Sequence, residues 1–295
     1  MDTTKKKFDK VKKYDNIKLS YNLTEGLIKM RFSCRIKLNK ENGNILIPTD
    51  YRKYISSMIK EAFKLSGDDG ETFLNEYFSS NKMKPYTFSV YFPIKEIKED
   101  KFVLQDDNFL FNFSSSDYEF LMRIYNGLLK IKNGFELFND QISVEKFNLQ
   151  IKPDYTFKDK ILFKTLSPFL VRDLKDGDYY LLPKGLLKDK KFKYAKESNK
   201  EEFIEALKKS IINLAQEYLK EKFDEKKEIA INILWETLKL APVAHSSNRS
   251  KFSITLPSIR GCIEISAQPE LLKLIYDAGI GARRSEGFGM LEVIK

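Results

Sequence analysis

His245 is the only histidine in a chain of 295 residues. That scarcity excludes multi-histidine zinc sites and paired-histidine ribonuclease chemistry within one chain. The two cysteines, Cys34 and Cys262, fall short of a structural zinc set even with His245. They lie far apart, inside apolar strand-like segments, and read as buried free thiols of a reducing cytoplasm. No run of about 18 apolar residues exists, so an ordinary transmembrane helix is excluded and no membrane partner is expected. The first residues are polar and lysine-rich, without the apolar stretch of a secretory signal. Two phosphate-loop classes are excluded as well. The Gly-Lys-Ser/Thr of a Walker loop is absent, and a dinucleotide fingerprint starting at Gly279 would need a glycine where Arg284 stands. The expectation is a chain with no bound metal and no cofactor.

What the chain does contain is core material and positive charge. Hydrophobic residues make up 42% and aromatics 13%, with 23 Phe and 15 Tyr, which is ample for a packed interior. Basic residues outnumber acidic ones by 52 to 42, leaving +10. That balance favours a polyanionic partner, although a lysine-rich surface also serves solubility.

The pattern along the chain predicts an α+β architecture of tandem ferredoxin-like (RRM-like) domains with a C-terminal glycine-rich loop. Residues 1–26 form a basic arm, 27–152 the N-terminal domain, and 153–295 the C-terminal domain carrying the loop. Strict alternation from Ile28 to Leu38 predicts a strand with one apolar face and one face bearing Lys29, Arg31, Ser33, Arg35 and Lys37. That basic face suits either RNA or solvent. Thr49 or Asp50 is placed to cap a helix in which Ile55, Met58, Ile59, Ala62 and Phe63 recur at helical spacing. A strand at Tyr86–Phe92, a hairpin from Phe102 to Phe113, a helix through Tyr118–Leu129 and a strand near Ile142–Ile151 complete β-α-β-β-α-β. The order then repeats: a strand from Lys160, an amphipathic helix through Phe203–Leu219, and strands at Ile229–Leu240, Phe252–Leu256 and Gly261–Ser266. A short helix starting at Pro269 and a closing strand at Phe288–Ile294 finish it.

The chain closes on Gly279-Ile-Gly-Ala-Arg-Arg-Ser-Glu-Gly-Phe-Gly289. Gly279, Gly281, Gly287 and Gly289 allow a backbone whose N–H groups approach phosphate. Arg283 and Arg284 offer fork-shaped donors and Ser285 a hydroxyl. With two arginines embedded, a backbone grip on nucleic acid is favoured over a plain helix-to-strand turn.

This ending resembles the C-terminal motif of the CRISPR repeat-processing endoribonucleases, number six in the Cas series, within the RAMP superfamily. Pro48-Thr-Asp-Tyr-Arg-Lys-Tyr54, Lys84-Pro-Tyr-Thr-Phe-Ser-Val-Tyr-Phe-Pro93 and Phe163-Lys-Thr-Leu-Ser-Pro168 carry the resemblance across most of the chain. The resemblance implies metal-independent cleavage of CRISPR repeat RNA, the precursor crRNA. The 2′-hydroxyl attacks the adjacent phosphate, giving 2′,3′-cyclic phosphate and 5′-hydroxyl ends. An alternative is a non-cleaving RAMP subunit that binds crRNA beside other CRISPR effector subunits, as a monomer or homodimer. Many members place a histidine at the start of the first helix, where this chain has Tyr51. The catalytic candidates are therefore His245, Tyr51 and Lys53, the last with a lowered pKa. Arg31, Arg35, Arg52, Arg249 and Lys251 join the loop as candidate RNA contacts.

Overall fold

A computed structural model describes residues 30–39, 44–78, 83–132, 134–138, 142–152, 155–187, 192–245 and 254–294. The basic arm, Lys29, Arg249 and Lys251 lie outside the described residues.

In the N-terminal half, β1 (Arg31–Asn39) is followed by α1 (Arg52–Leu65), α2 (Gly70–Phe78), β2 (Tyr86–Tyr91), β3 (Asn108–Ser115), α3 (Tyr118–Lys130) and β4 (Ser143–Ile151). The sheet runs β2-β3-β1-β4, the ferredoxin-like order, with the two-residue strand Phe135–Glu136 added outside β4 and every pairing antiparallel. Alternation sends Phe32, Cys34, Ile36 and Leu38 into the core beneath α1 and α3. Burial pushes the Cys34 thiol up to about 12, so it stays an inert thiol. Asp117 caps α3 by accepting the Phe120 amide at 3.1 Å. Helices α1 and α3 pass so closely that a Cβ on Gly127 would lie 1.8 Å from the Ala62 carbonyl oxygen. The Ser66–Glu71 turn is tied down by Arg123, which donates to both Asp69 carboxylate oxygens at 2.9 Å.

Two local expectations are corrected here. Lys101–Leu104 does not form a hairpin with β3. It leaves the main sheet and pairs with Leu46–Pro48 and Ile94–Lys98 in a separate three-stranded sheet. Helix α1 begins after Tyr51, which makes no side-chain capping bond, and the Asp50 carboxylate instead accepts from Lys53.

The C-terminal half repeats the plan: β5 (Lys160–Thr165), α4 (Lys200–Tyr218), β6 (Ala230–Ile233), β7 (Val243–His245), β8 (Ile254–Leu256), β9 (Cys262–Ser266), α5 (Pro269–Ala278) and β10 (Leu291–Val293). Its sheet runs β6-β9-β5-β10, again wholly antiparallel. The stretch expected as one strand from Ile229 to Leu240 breaks after Ile233 into a 3₁₀ turn at Trp235–Thr237. Lys239–Leu240 then pairs with Ile259–Arg260. Between β6 and β9, the β7–β8 pair projects as a separate hairpin whose last paired residue on β7 is His245. Cys262 is half-buried rather than buried. No helix among the described residues is long and apolar enough to cross a membrane.

The halves meet through Arg31. Its guanidinium donates to the carbonyls of Leu291 at 2.7 Å and Tyr276 at 2.6 Å, and lies 3.7 Å from the centre of the Tyr276 ring. Thr87 adds a hydrogen bond to the Phe288 carbonyl at 2.8 Å. The basic face of β1 therefore splits. Arg31 and Ser33 are buried, while Arg35 and Lys37 stay exposed on the sheet surface opposite α1.

Candidate active site

The glycine-rich segment is a wedge between the halves. After Gly279 ends α5, the chain makes a 3₁₀ turn at Arg284–Glu286 and returns as β10. Gly287 has φ +86°, and a Cβ there would meet the Phe88 ring at 2.5 Å. Gly279, Gly287 and Gly289 are all buried. A Cβ at Gly279, Gly287 or Gly289 would meet protein atoms within 3 Å, whereas Gly281 is half-buried. The glycines let the segment lie against β2 and its own flanks.

The two arginines of the segment face opposite ways. Arg284 turns inward: it is only 8% exposed and donates to the Ala278 carbonyl at 2.9 Å. Burial pulls its pKa down to about 10, with Tyr218 opposing. Its expected place as a phosphate fork gives way to a structural one. Arg283 adopts the left-handed backbone at φ +56° and ψ +33°, which costs a non-glycine residue about 1–2 kcal/mol. That conformation aims its side chain the other way. Its Nε donates to the Tyr180 hydroxyl at 2.6 Å, and its Nη1 donates to Glu286 at 2.9 and 3.2 Å. Ser285 is half-buried beside them.

His245 arrives from the end of β7 with a side chain 17% exposed. Its Nε2 lies 3.2 Å from Arg283 Nη1 and 3.4 Å from Glu286 Oε2. One ring nitrogen cannot accept from the guanidinium and donate to the carboxylate at once. The neutral ring with its proton on Nδ1 fits the Arg283 contact; an imidazolium fits Glu286. Burial holds His245 below its ordinary value; Glu286 raises it, while Arg283 and Arg52 lower it further. The lowered pKa favours the uncharged ring near neutral pH.

The start of α1 supplies the third wall. Arg52 is 6% exposed, stacked 4.8 Å from the Phe288 ring centre and 4.8 Å from that of Tyr51, and its Nε has no hydrogen-bond partner among the described residues. Burial lowers its pKa, with Tyr51 and Glu286 opposing and Arg260 adding to the fall. Tyr51 is 8% exposed and packs edge-on against Phe92 at 4.8 Å, as a core ring. Burial alone would lower the Lys53 pKa, but its 2.5 Å bond to Asp50 carries it above the ordinary value. The expected lowered lysine pKa is corrected by that ion pair.

The structure thus brings His245, Arg283 and the Arg52 end of α1 to one place. It puts Arg31 and Arg284 into packing and Arg35 on a different face. Sequence reading passed over Glu286 and Tyr180. The signal for Glu286 was its position three residues after Arg283, which a 3₁₀ turn converts into contact. Nothing local marked Tyr180. Among the described residues no three His, Cys, Asp or Glu gather to hold a metal.

Two ferredoxin-like units thus meet at a glycine-rich segment wedged between them. Residues 149–293 match the family described as CRISPR associated protein Cas6, C-terminal. The chain is 27% identical over 273 residues to CRISPR-associated endoribonuclease Cas6 1 of Methanocaldococcus jannaschii, covering 89% of this chain and 93% of that protein. A solved structure of a Cas6-related gene product from Pyrococcus furiosus shares the fold at 22% identity and a TM-score of 0.67, covering 91% of this chain and 99% of its own. A structure described as an RAMP protein binding different RNA substrates matches with a TM-score of 0.66 at 21% identity, covering 90% of this chain and all of its own.

Proposed function

We propose that this chain binds CRISPR repeat RNA and cleaves the precursor transcript without metal, by attack of a 2′-hydroxyl on the neighbouring phosphate. The relationship to a named CRISPR endoribonuclease supports the substrate class. The observation that carries the chemistry is the contact of half-buried His245 with Arg283, with the buried Arg52 near enough to act on it electrostatically. His245 Nε2, once the 2′-hydroxyl displaces Arg283 from it, accepts the hydroxyl proton as the 2′-oxygen bonds phosphorus. The P–O5′ bond breaks and the departing 5′-oxygen takes a proton from water. As the ring becomes cationic, repulsion from Arg283 and attraction to Glu286 exchange its partner. Arg283 stabilises the charge that gathers on the pentavalent phosphorus centre, and Arg52 adds its positive field from its buried place against Phe288. Tyr51 serves as packing and Lys53 as a charged contact, so neither is the proton acceptor. Arg35 and Lys37 extend the RNA path along the exposed sheet face, with Arg249 and Lys251 following His245 in sequence.

A second reading is a RAMP subunit that holds crRNA uncut among other effector subunits. It is favoured by Glu286, whose carboxylate neutralises Arg283 and sits on the His245 nitrogen. Incubation with the cognate repeat RNA in EDTA separates the two. Cyclic-phosphate product, with the rate falling about 10²–10⁴-fold in His245→Ala, is the expected result. Tight binding of RNA that stays whole establishes the second reading instead.

A further inference from the structure

The groups of the proposed site share one neighbour that takes no part in the bond changes. Tyr180 stands on the middle strand of a small three-stranded sheet, Tyr180–Pro183, with Val171–Arg172 on one side and Ala195–Ser198 on the other. It is paired with Arg172 and with Ala195, and its amide donates to the Tyr194 carbonyl at 2.8 Å. Its backbone is therefore fixed from both sides, and the residue is only 3% exposed. The ring lies in a small third core with Leu170, Val243, Leu256 and Phe288.

These contacts lead to the groups of the site. Val243 and Leu256 face each other across the β7–β8 hairpin, and Val243 precedes His245 by two residues on β7. Phe288 lies under the Arg52 guanidinium, 4.8 Å from its ring centre. The Tyr180 hydroxyl accepts from Arg283 Nε at 2.6 Å. Arg283 engages His245 and Glu286 through Nη1, while Nη2 makes no hydrogen bond among the described residues. A guanidinium is planar, so fixing Nε restricts the directions in which both Nη groups point.

We propose that Tyr180 is the positioning residue of this site, holding Arg283 by its Nε so that the Nη groups stand at His245. This rests on the proposed roles of His245 and Arg283. Anchored at Nε, the guanidinium can yield the His245 nitrogen to a 2′-hydroxyl and remain beside the phosphate, with Nη2 open to one of its oxygens. Without the Tyr180 hydroxyl, Arg283 keeps only His245 itself and the half-exposed Glu286 on the same turn.

The single histidine makes the test direct, because one imidazole signal reports the site by NMR. Burial holds that ring's pKa down; Glu286 and Asp50 raise it, while Arg283 and Arg52 lower it further. Tyr180→Phe keeps the packed ring and removes the hydroxyl. Arg283 then moves off, and the His245 midpoint is expected to rise by about half a pH unit or more. Arg283→Met raises it as well, and adding Tyr180→Phe to that variant changes nothing further, whereas a packing defect would act in both backgrounds. In the unaltered chain the Arg283 Nε–H signal is expected to exchange slowly; a fast-exchanging signal overturns the hold with no substitution made. In single-turnover cleavage of the cognate repeat RNA, Tyr180→Phe lowers the rate about 10–100-fold and leaves affinity within about threefold. An unmoved midpoint overturns the proposal, and so does a cleavage rate equal to that of the unaltered chain. A raised midpoint in a chain that leaves repeat RNA whole keeps Tyr180 as the residue that orients Arg283 and overturns the cleavage reading instead.

Discussion

In the N-terminal unit the core is built from rings: Phe32, Phe63, Phe88, Phe109, Phe111, Phe113 and Phe120 are all buried together. In the C-terminal unit the same strand order is filled by Leu207, Ile211, Leu214, Ile263, Ile265, Leu271 and Ile275. Rings pack by edge-to-face and stacked geometry, as Phe63 does on Phe120 at 4.8 Å, and such contacts hold a platform in one arrangement. The C-terminal unit instead places the groups of the proposed site on connections, the β7–β8 hairpin with His245 and the wedge with Arg283 and Glu286. One unit supplies a firm floor and the start of α1; the other supplies projecting groups laid onto it. Topology alone does not distinguish them. The difference lies in which unit leaves functional side chains on segments outside its sheet.

The sharpest way to break this comparison is at Arg52, the one guanidinium that the N-terminal unit brings to the site. Arg52→Met keeps the stacking on Phe288 and removes the charge. Single-turnover cleavage is expected to fall about 10²–10³-fold while RNA affinity changes less than tenfold. An equal loss in both would make Arg52 an anchor for RNA rather than a stabiliser of the reaction.

The next effect is on the seam itself. Arg31→Met removes two charge-assisted bonds and leaves the Leu291 and Tyr276 carbonyls without that partner, costing about 2–3 kcal/mol in urea unfolding. An unchanged midpoint would mean that the units are joined elsewhere.

A smaller effect is expected on the pH profile. His245 must be neutral to accept a proton, and its pKa lies below the ordinary 6.5. Cleavage should therefore be flat just above that value and fall about tenfold per unit only once pH drops below the lowered pKa. Glu286→Gln removes the group that raises the pKa, so the acid limb should move further down. An acid limb above 6.5 would remove His245 from the base role. The smallest effect belongs to the exposed sheet face. Arg35→Gln should weaken RNA binding a few-fold and reduce the salt slope by about 0.7, if that face follows a single strand.

Much of the fold was legible because periodicity reports local burial. The alternation in β1 and the stripe of Phe203, Ala206, Leu207, Ile211 and Leu214 in α4 each state which side faces the core. Where the reading missed, pairing partners decided. Phe102 and its neighbours could join either sheet, and the choice depended on Leu46–Pro48, far away in sequence. At the site, His245 was visible as the lone conventional proton carrier, and Arg283 by its setting among glycines. Arg284 looked equivalent to Arg283, yet the left-handed backbone of Arg283, just before the 3₁₀ turn that begins at Arg284, turns the two side chains different ways.

The sequence by itself determined the two repeated units, the basic balance and the scarcity of acid–base groups that leaves so much weight on His245. These follow from composition and from side-chain periods that hold whatever the neighbours are. Only the tertiary structure decided that Arg31 and Arg284 are buried in packing, that Lys53 is held charged by Asp50, and that Arg283 meets His245. A charged side chain's task depends on what desolvates and faces it, and at this junction those groups come from segments up to 260 residues apart.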